Sequence, residues 1–111
     1  KKSPPATSVE KIQPELSYNK LRLNTQTHEC LLDGENVSLT PTEFSILNVL
    51  LKNAGTVVSI EDLFHAVWKE EYYSKNSSTI TVHIRHLREK LKDTSDTPKY
   101  IKTIWGVGYK I

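Results

Sequence analysis

The sequence predicts an α+β domain: a four-stranded antiparallel sheet first, three helices next, and a β-hairpin at the end. Three observations carry this. Between residues 16 and 39, apolar residues alternate with polar ones in short runs broken by turn residues. From Thr40 the apolar spacing lengthens to that of a helix. Beyond Pro98 alternation returns around Gly106 and Gly108.

Residues 1–14 (KKSPPATSVEKIQP) hold three prolines and no periodicity, so they are expected to be a linker, with the domain spanning 15–111. Leu16 and Tyr18, Leu21 and Leu23, Cys30 and Leu32, then Val37 and Leu39 mark the strands. Asn24 to Thr27 and Asp33-Gly34 supply the turns, the second a strong hairpin signal. Thr40-Pro41-Thr42-Glu43 opens the first helix: Thr40 can cap, Pro41 suits the first turn, and Glu43 can reach back to complete a capping box. Phe44, Leu47, Leu50 and Leu51 recur at helical spacing until Asn53-Ala54-Gly55 ends the element. Val57-Val58 reads as a short strand. Ser59 then repeats the capping pattern, with Glu61 and Asp62 where the helix dipole favours acids. Leu63, Phe64, Val67 and Trp68 form the second helix's apolar stripe, and a polar connection follows over 69–75. The third helix is expected over 76–92, and residues 99–104 with 109–111 form the hairpin.

Length fits one domain able to bury its own core. No run is long and apolar enough to span a membrane, and no signal peptide pattern opens the chain. The single cysteine, Cys30, excludes an internal disulfide and fits a reducing, cytoplasmic setting. Methionine is absent even at position 1, so the chain is expected to be a piece of a longer protein. Charge is distributed unevenly. Residues 1–74 carry 7 Lys/Arg against 10 Asp/Glu, a net −3, whereas residues 75–111 carry 8 against 3, a net +5. Clustered cations favour a polyanionic partner.

In the third helix, Ile84, Leu87 and Leu91 fall within about 40° of Ile80 at about 100° per residue, a narrow apolar seam. The opposite side offers Ser78, Val82, Arg85, His86 and Glu89, flanked by Thr81 and His83. Arginine matches the O6/N7 edge of guanine, and hydroxyls and imidazoles meet bases or phosphates. Val82 is out of place on a solvated face but fits a thymine methyl. Helix, short loop, basic hairpin is winged-helix order, so the fold is expected to be a winged helix-turn-helix.

TVHIRHLREKL followed by YIKTIWGVGYKI resembles the effector domain of OmpR/PhoB-type response regulators, and LTPTEFSILNVLLKNAGTVVS resembles that family's first helix and the turn after it. The resemblance spans residues 16–111 and leans towards regulators of glycopeptide resistance. It implies transcriptional control in the cytoplasm, in two-component phosphorelay. An N-terminal receiver domain, absent from this chain, would be phosphorylated by a sensor histidine kinase. It also implies head-to-tail dimers on direct-repeat promoter sites of double-stranded DNA. Thr81, Val82, Arg85 and His86 take the base-facing positions, beside Ser78. Thr79, His83 and Arg88, with Trp68, Thr103 and Tyr109, take phosphate positions. Trp105 stands where many relatives carry an arginine that enters the minor groove; it is expected to pack on sugars or to cover the hairpin base. The connection at 69–75 matches the loop through which relatives touch RNA polymerase. Tyr72 and Tyr73 would serve that contact or hold the loop.

Other functions find little support. His83 and His86 lie about 60° apart on the helix with no second ligand pair at zinc spacing, so neither a metal nor a cofactor is expected. Cys30 reads as a small core residue. No activated nucleophile or acid–base pair stands out, so the chain is not expected to be an enzyme. One alternative stays open: a winged helix that binds protein through Val82 and Trp105.

Overall fold

The alternation beginning at Leu16 becomes an antiparallel meander in the computed structural model, which describes residues 15–68, 77–94 and 98–111, Ser77 and Ser78 by their backbone alone. Residues 1–14, Tyr72, Tyr73 and the Ser78 side chain lie outside the described residues. Strands β1 (Glu15–Tyr18), β2 (Leu21–Asn24), β3 (Glu29–Leu32) and β4 (Glu35–Asn36) pair in chain order. Asn24 Oδ1 accepts from the backbone N–H groups of Gln26 and Thr27 at 2.9 and 3.0 Å, which turns β2 into β3. Asp33 and Gly34 both take positive φ (53° and 84°), the paired left-handed geometry of a two-residue hairpin. Leu23 sits opposite Cys30 in register, and both turn inward with Leu21. Burial pushes the Cys30 thiol up to about 11, so it is an inert core group.

Helix α1 (Pro41–Lys52) starts on the expected capping box. Glu43 N–H donates to Thr40 Oγ1 at 3.1 Å, and Thr40 N–H donates to Glu43 Oε1 at 3.0 Å. Helix α2 (Ile60–Trp68) is capped by Ser59, whose Oγ accepts from Asp62 N–H at 3.0 Å. Helix α3 (Ser77–Lys90) buries Ile80, Ile84 and Leu87, and Leu91 just beyond its end is buried with them, all to between 0% and 1% exposure. They join Ile46, Leu47, Leu50, Leu63 and the sheet residues in one core. Removing a buried leucine from such a seam costs about 2–5 kcal/mol.

The C-terminal hairpin is more than the pair of strands expected. Strands β6 (Lys102–Ile104) and β7 (Gly108–Lys110) pair with each other, and β5 (Val58–Ser59) pairs with β7, giving a three-stranded sheet in the order β5-β7-β6. The short strand before α2 therefore anchors the wing. Strand β6 is also shorter than the expected 99–104. Asp93, buried beyond the end of α3, accepts the N–H groups of Lys99, Tyr100 and Ile101 at 2.6, 3.0 and 2.9 Å. Those donors are spent on a carboxylate and cannot enter a ladder.

Candidate nucleic-acid interface

The seam fixes how α3 is rotated, and this rotation decides which side chains face outward. With Ile80, Ile84 and Leu87 inward, Thr81, Val82, Arg85, His86 and Glu89 are exposed. Val82 is 37% exposed on this polar ridge, and none of the ion pairs among the described residues involves Arg85. Thr81, Arg85 and Arg88 line a groove that continues onto Tyr109 of the wing. Glu89 and Asp93 also line it, so the groove as a whole is not cationic; the positive charge it can offer a phosphate backbone sits on the exposed Arg85.

The candidate phosphate residues divide into two groups. Thr79 and His83 are partly exposed on α3, and Thr103 is partly exposed on β6. Arg88, by contrast, is tied to the wing. Its Nη2 donates to Ile101 carbonyl oxygen and to Thr103 Oγ1, both at 2.8 Å. That guanidinium bolts α3 to β6, and Thr103 Oγ1 is thereby occupied as an acceptor. Tyr109 is nearly buried and belongs to the packing of the wing. Trp68 is half-buried, stacked on Phe64 at 4.7 Å with His83 tilted against it at 5.7 Å.

Trp105 resolves one of the two sequence expectations. It is 88% exposed at the wing tip and covers no hairpin base. Gly106 beside it holds a φ of 78°, and Val107 is exposed too. The tip thus presents an indole to solvent.

His86 differs from the expected picture in the direction it faces. Its Nδ1 lies 3.9 Å from Oε2 of Glu43, a carboxylate only 2% exposed at the start of α1. Lys90 donates to the Oε1 of the same carboxylate at 2.5 Å. Burial opposes the charged form of Glu43, but the Lys90 hydrogen bond and the Thr40 N–H outweigh it and hold the carboxyl below its ordinary value. Sequence reading saw Glu43 only as a cap. Its second role depends on α1 and α3 crossing, and the residues involved are 47 positions apart. The only sequence signal was a lone basic residue, Lys90, beside the helix's apolar seam.

Among the described residues, no helix is long and apolar enough to cross a membrane. The family model "Transcriptional regulatory protein, C terminal" matches residues 34–111. The chain is 64% identical to the regulatory protein VanR of Enterococcus faecium over 94 residues, 85% of this chain and 41% of that protein. It spans under half the length of that relative. A crystal structure of the Klebsiella pneumoniae RstA DNA-binding domain, in complex with the RstA box, superposes with a TM-score of 0.81 at 29% identity, covering 87% of this chain and 95% of that one. The response regulator DrrB of Thermotoga maritima, described as an OmpR/PhoB homologue, gives 0.79 at 30% identity over 94% of this chain and 46% of its own. With three helices, a four-stranded sheet and a hairpin wing among its described residues, this chain belongs to the family of C-terminal domains of transcriptional regulatory proteins, the OmpR/PhoB effector domains.

Proposed function

We propose that the chain binds double-stranded promoter DNA sequence-specifically, with α3 in the major groove and the wing on the adjoining backbone or minor groove. The observation that carries this is the open Thr81–Val82–Arg85 ridge, held outward by a seam that is fully buried. The RstA domain, of the same fold, was crystallised with its DNA box. In this reading Arg85 reads guanine, Val82 meets a thymine methyl, and Thr81, with Ser78, completes the base-facing set. Thr79 and His83 contact phosphate. Arg88 acts chiefly by fixing the wing, and Trp105 contacts sugars at the tip. The chain would serve as the effector half of a two-component regulator whose receiver domain a sensor histidine kinase phosphorylates. It would bind direct repeats as a head-to-tail dimer and touch RNA polymerase through the 69–75 connection that holds Tyr72 and Tyr73.

A protein-binding winged helix is the second reading, favoured by the exposed Val82, Trp105 and Val107. Salt dependence separates the two. Fluorescence anisotropy on a duplex selected by the chain from a random library is expected to show log Kd rising with log salt by about 0.9 per phosphate neutralised. Arg85→Ala is expected to cost about 1–3 kcal/mol and to relax selectivity at one base pair. Selection of no duplex, or binding indifferent to both salt and Arg85, overturns the DNA reading.

A further inference from the structure

We propose that Glu43, His83 and His86 form a site for one divalent first-row transition cation of the Zn2+ class, where α3 meets the first turn of α1. One ligand atom from each residue lies within 4.8 Å of the other two. The histidines come from successive turns of α3, and the third ligand comes from another helix, which spacing along the sequence does not reveal. Each group has unspent capacity. Glu43 Oε1 is engaged by the Thr40 N–H and by Lys90, but Oε2 is left facing His86 Nδ1 at 3.9 Å. His83 Nδ1 is buried and has no hydrogen-bond partner among the described residues. A buried ring nitrogen left unpaired is unfavourable, and a bound cation would satisfy it.

The geometry is close to what such an ion needs. Zn2+ takes imidazole nitrogen and carboxylate oxygen at about 2.0–2.2 Å, so tetrahedral ligand atoms lie about 3.3–3.5 Å apart. The ligand atoms, within 4.8 Å of one another, draw together to that spacing by side-chain rotation of half-exposed His86 and partly exposed His83 about a carboxylate anchored by its cap. Two imidazoles and one carboxylate favour Zn2+, Ni2+ or Cu2+ over Mg2+ or Ca2+. Three protein ligands leave a fourth position open to solvent. Lys90 opposes the ion, because its ammonium competes for the same carboxylate. An ion here would also hold His86 on the α1 side of the helix and out of a duplex. That consequence rests on the DNA reading, whereas the site itself does not.

The test is calorimetric titration of Zn2+ into the metal-stripped chain, without DNA. One ion per chain is expected to bind, and His86→Gln is expected to weaken it at least about tenfold. His83→Gln should do the same, and His28→Gln and His65→Gln should leave binding unchanged. Lys90→Gln should tighten it, because the competing cation is gone. Circular dichroism confirms that each variant folds, and half-exposed His86 keeps the test valid even if His83→Gln does not fold. Absence of stoichiometric binding, binding that survives His86→Gln, or a Lys90→Gln chain that binds no better would overturn the proposal.

Discussion

The base and the tip of the wing are built on opposite principles. At the base, side chains and backbone from several elements are tied together. Arg88 spans from α3 to Ile101 and Thr103, Asp93 gathers three successive N–H groups, and β5 pairs with β7. At the tip, a few residues away, Trp105 and Val107 project into solvent. Burial at the base fixes where the tip points, and the tip is left to meet something else. Charge alone does not separate the two regions, since Arg88, the arginine on the wing side of α3, is hydrogen-bonded to Ile101 and Thr103.

The largest effect is expected at Gly108. A Cβ there would lie 2.0 Å from the Val58 carbonyl oxygen and 2.8 Å from Ser59 Cα, both backbone atoms that cannot swing aside. Gly108→Ala is therefore expected to detach β5 from β7 and cost about 3 kcal/mol or more, read as a fall in denaturant midpoint. A midpoint unchanged from wild type would mean that the base is not rigid, and the contrast with the tip would fail.

A smaller effect is expected from acid. Because the folded carboxyl of Glu43 titrates below its ordinary value of 4.5, its contribution is fully present above that value. It is lost as pH falls through the lower folded value, when protonation weakens the Lys90 contact. Denaturant midpoints measured from pH 6 downward should decline in this window, and Glu43→Gln should flatten that part of the curve. An unaltered acid limb in Glu43→Gln would place the pairing outside the stability of the fold.

The smallest effect on stability is expected at the tip. Trp105→Ala should change the unfolding free energy from denaturant titration by no more than about 0.5 kcal/mol, because an 88% exposed side chain has little packing to lose. The same variant should weaken DNA binding measurably. Equal loss in both measurements would place the indole in the fold, and no loss in either would leave the tip without a role.

Local and periodic signals made most of the fold legible. The Thr40–Glu43 capping box, the Asp33-Gly34 turn and the Ile80–Leu91 seam all depend on residues within about three turns of one another, so sequence alone exposes them. The exposed ridge of α3 followed from the seam by geometry. Contacts between distant segments were not legible. Strand β5 joining the wing, Asp93 shortening β6, and Glu43 drawing in Lys90 and His86 each require two segments whose meeting no local pattern encodes. Trp105 was legible as a departure from the family's arginine, but its exposure became visible only once the turn at Gly106 was placed.

Amide chemical-shift mapping during titration with the selected duplex tests the central claim most directly. The largest changes should fall on Thr81, Val82 and Arg85, with a second, smaller set at Trp105 to Val107 and little change across residues 15–36. Changes concentrated on the first sheet, with the α3 ridge unmoved, would contradict the account.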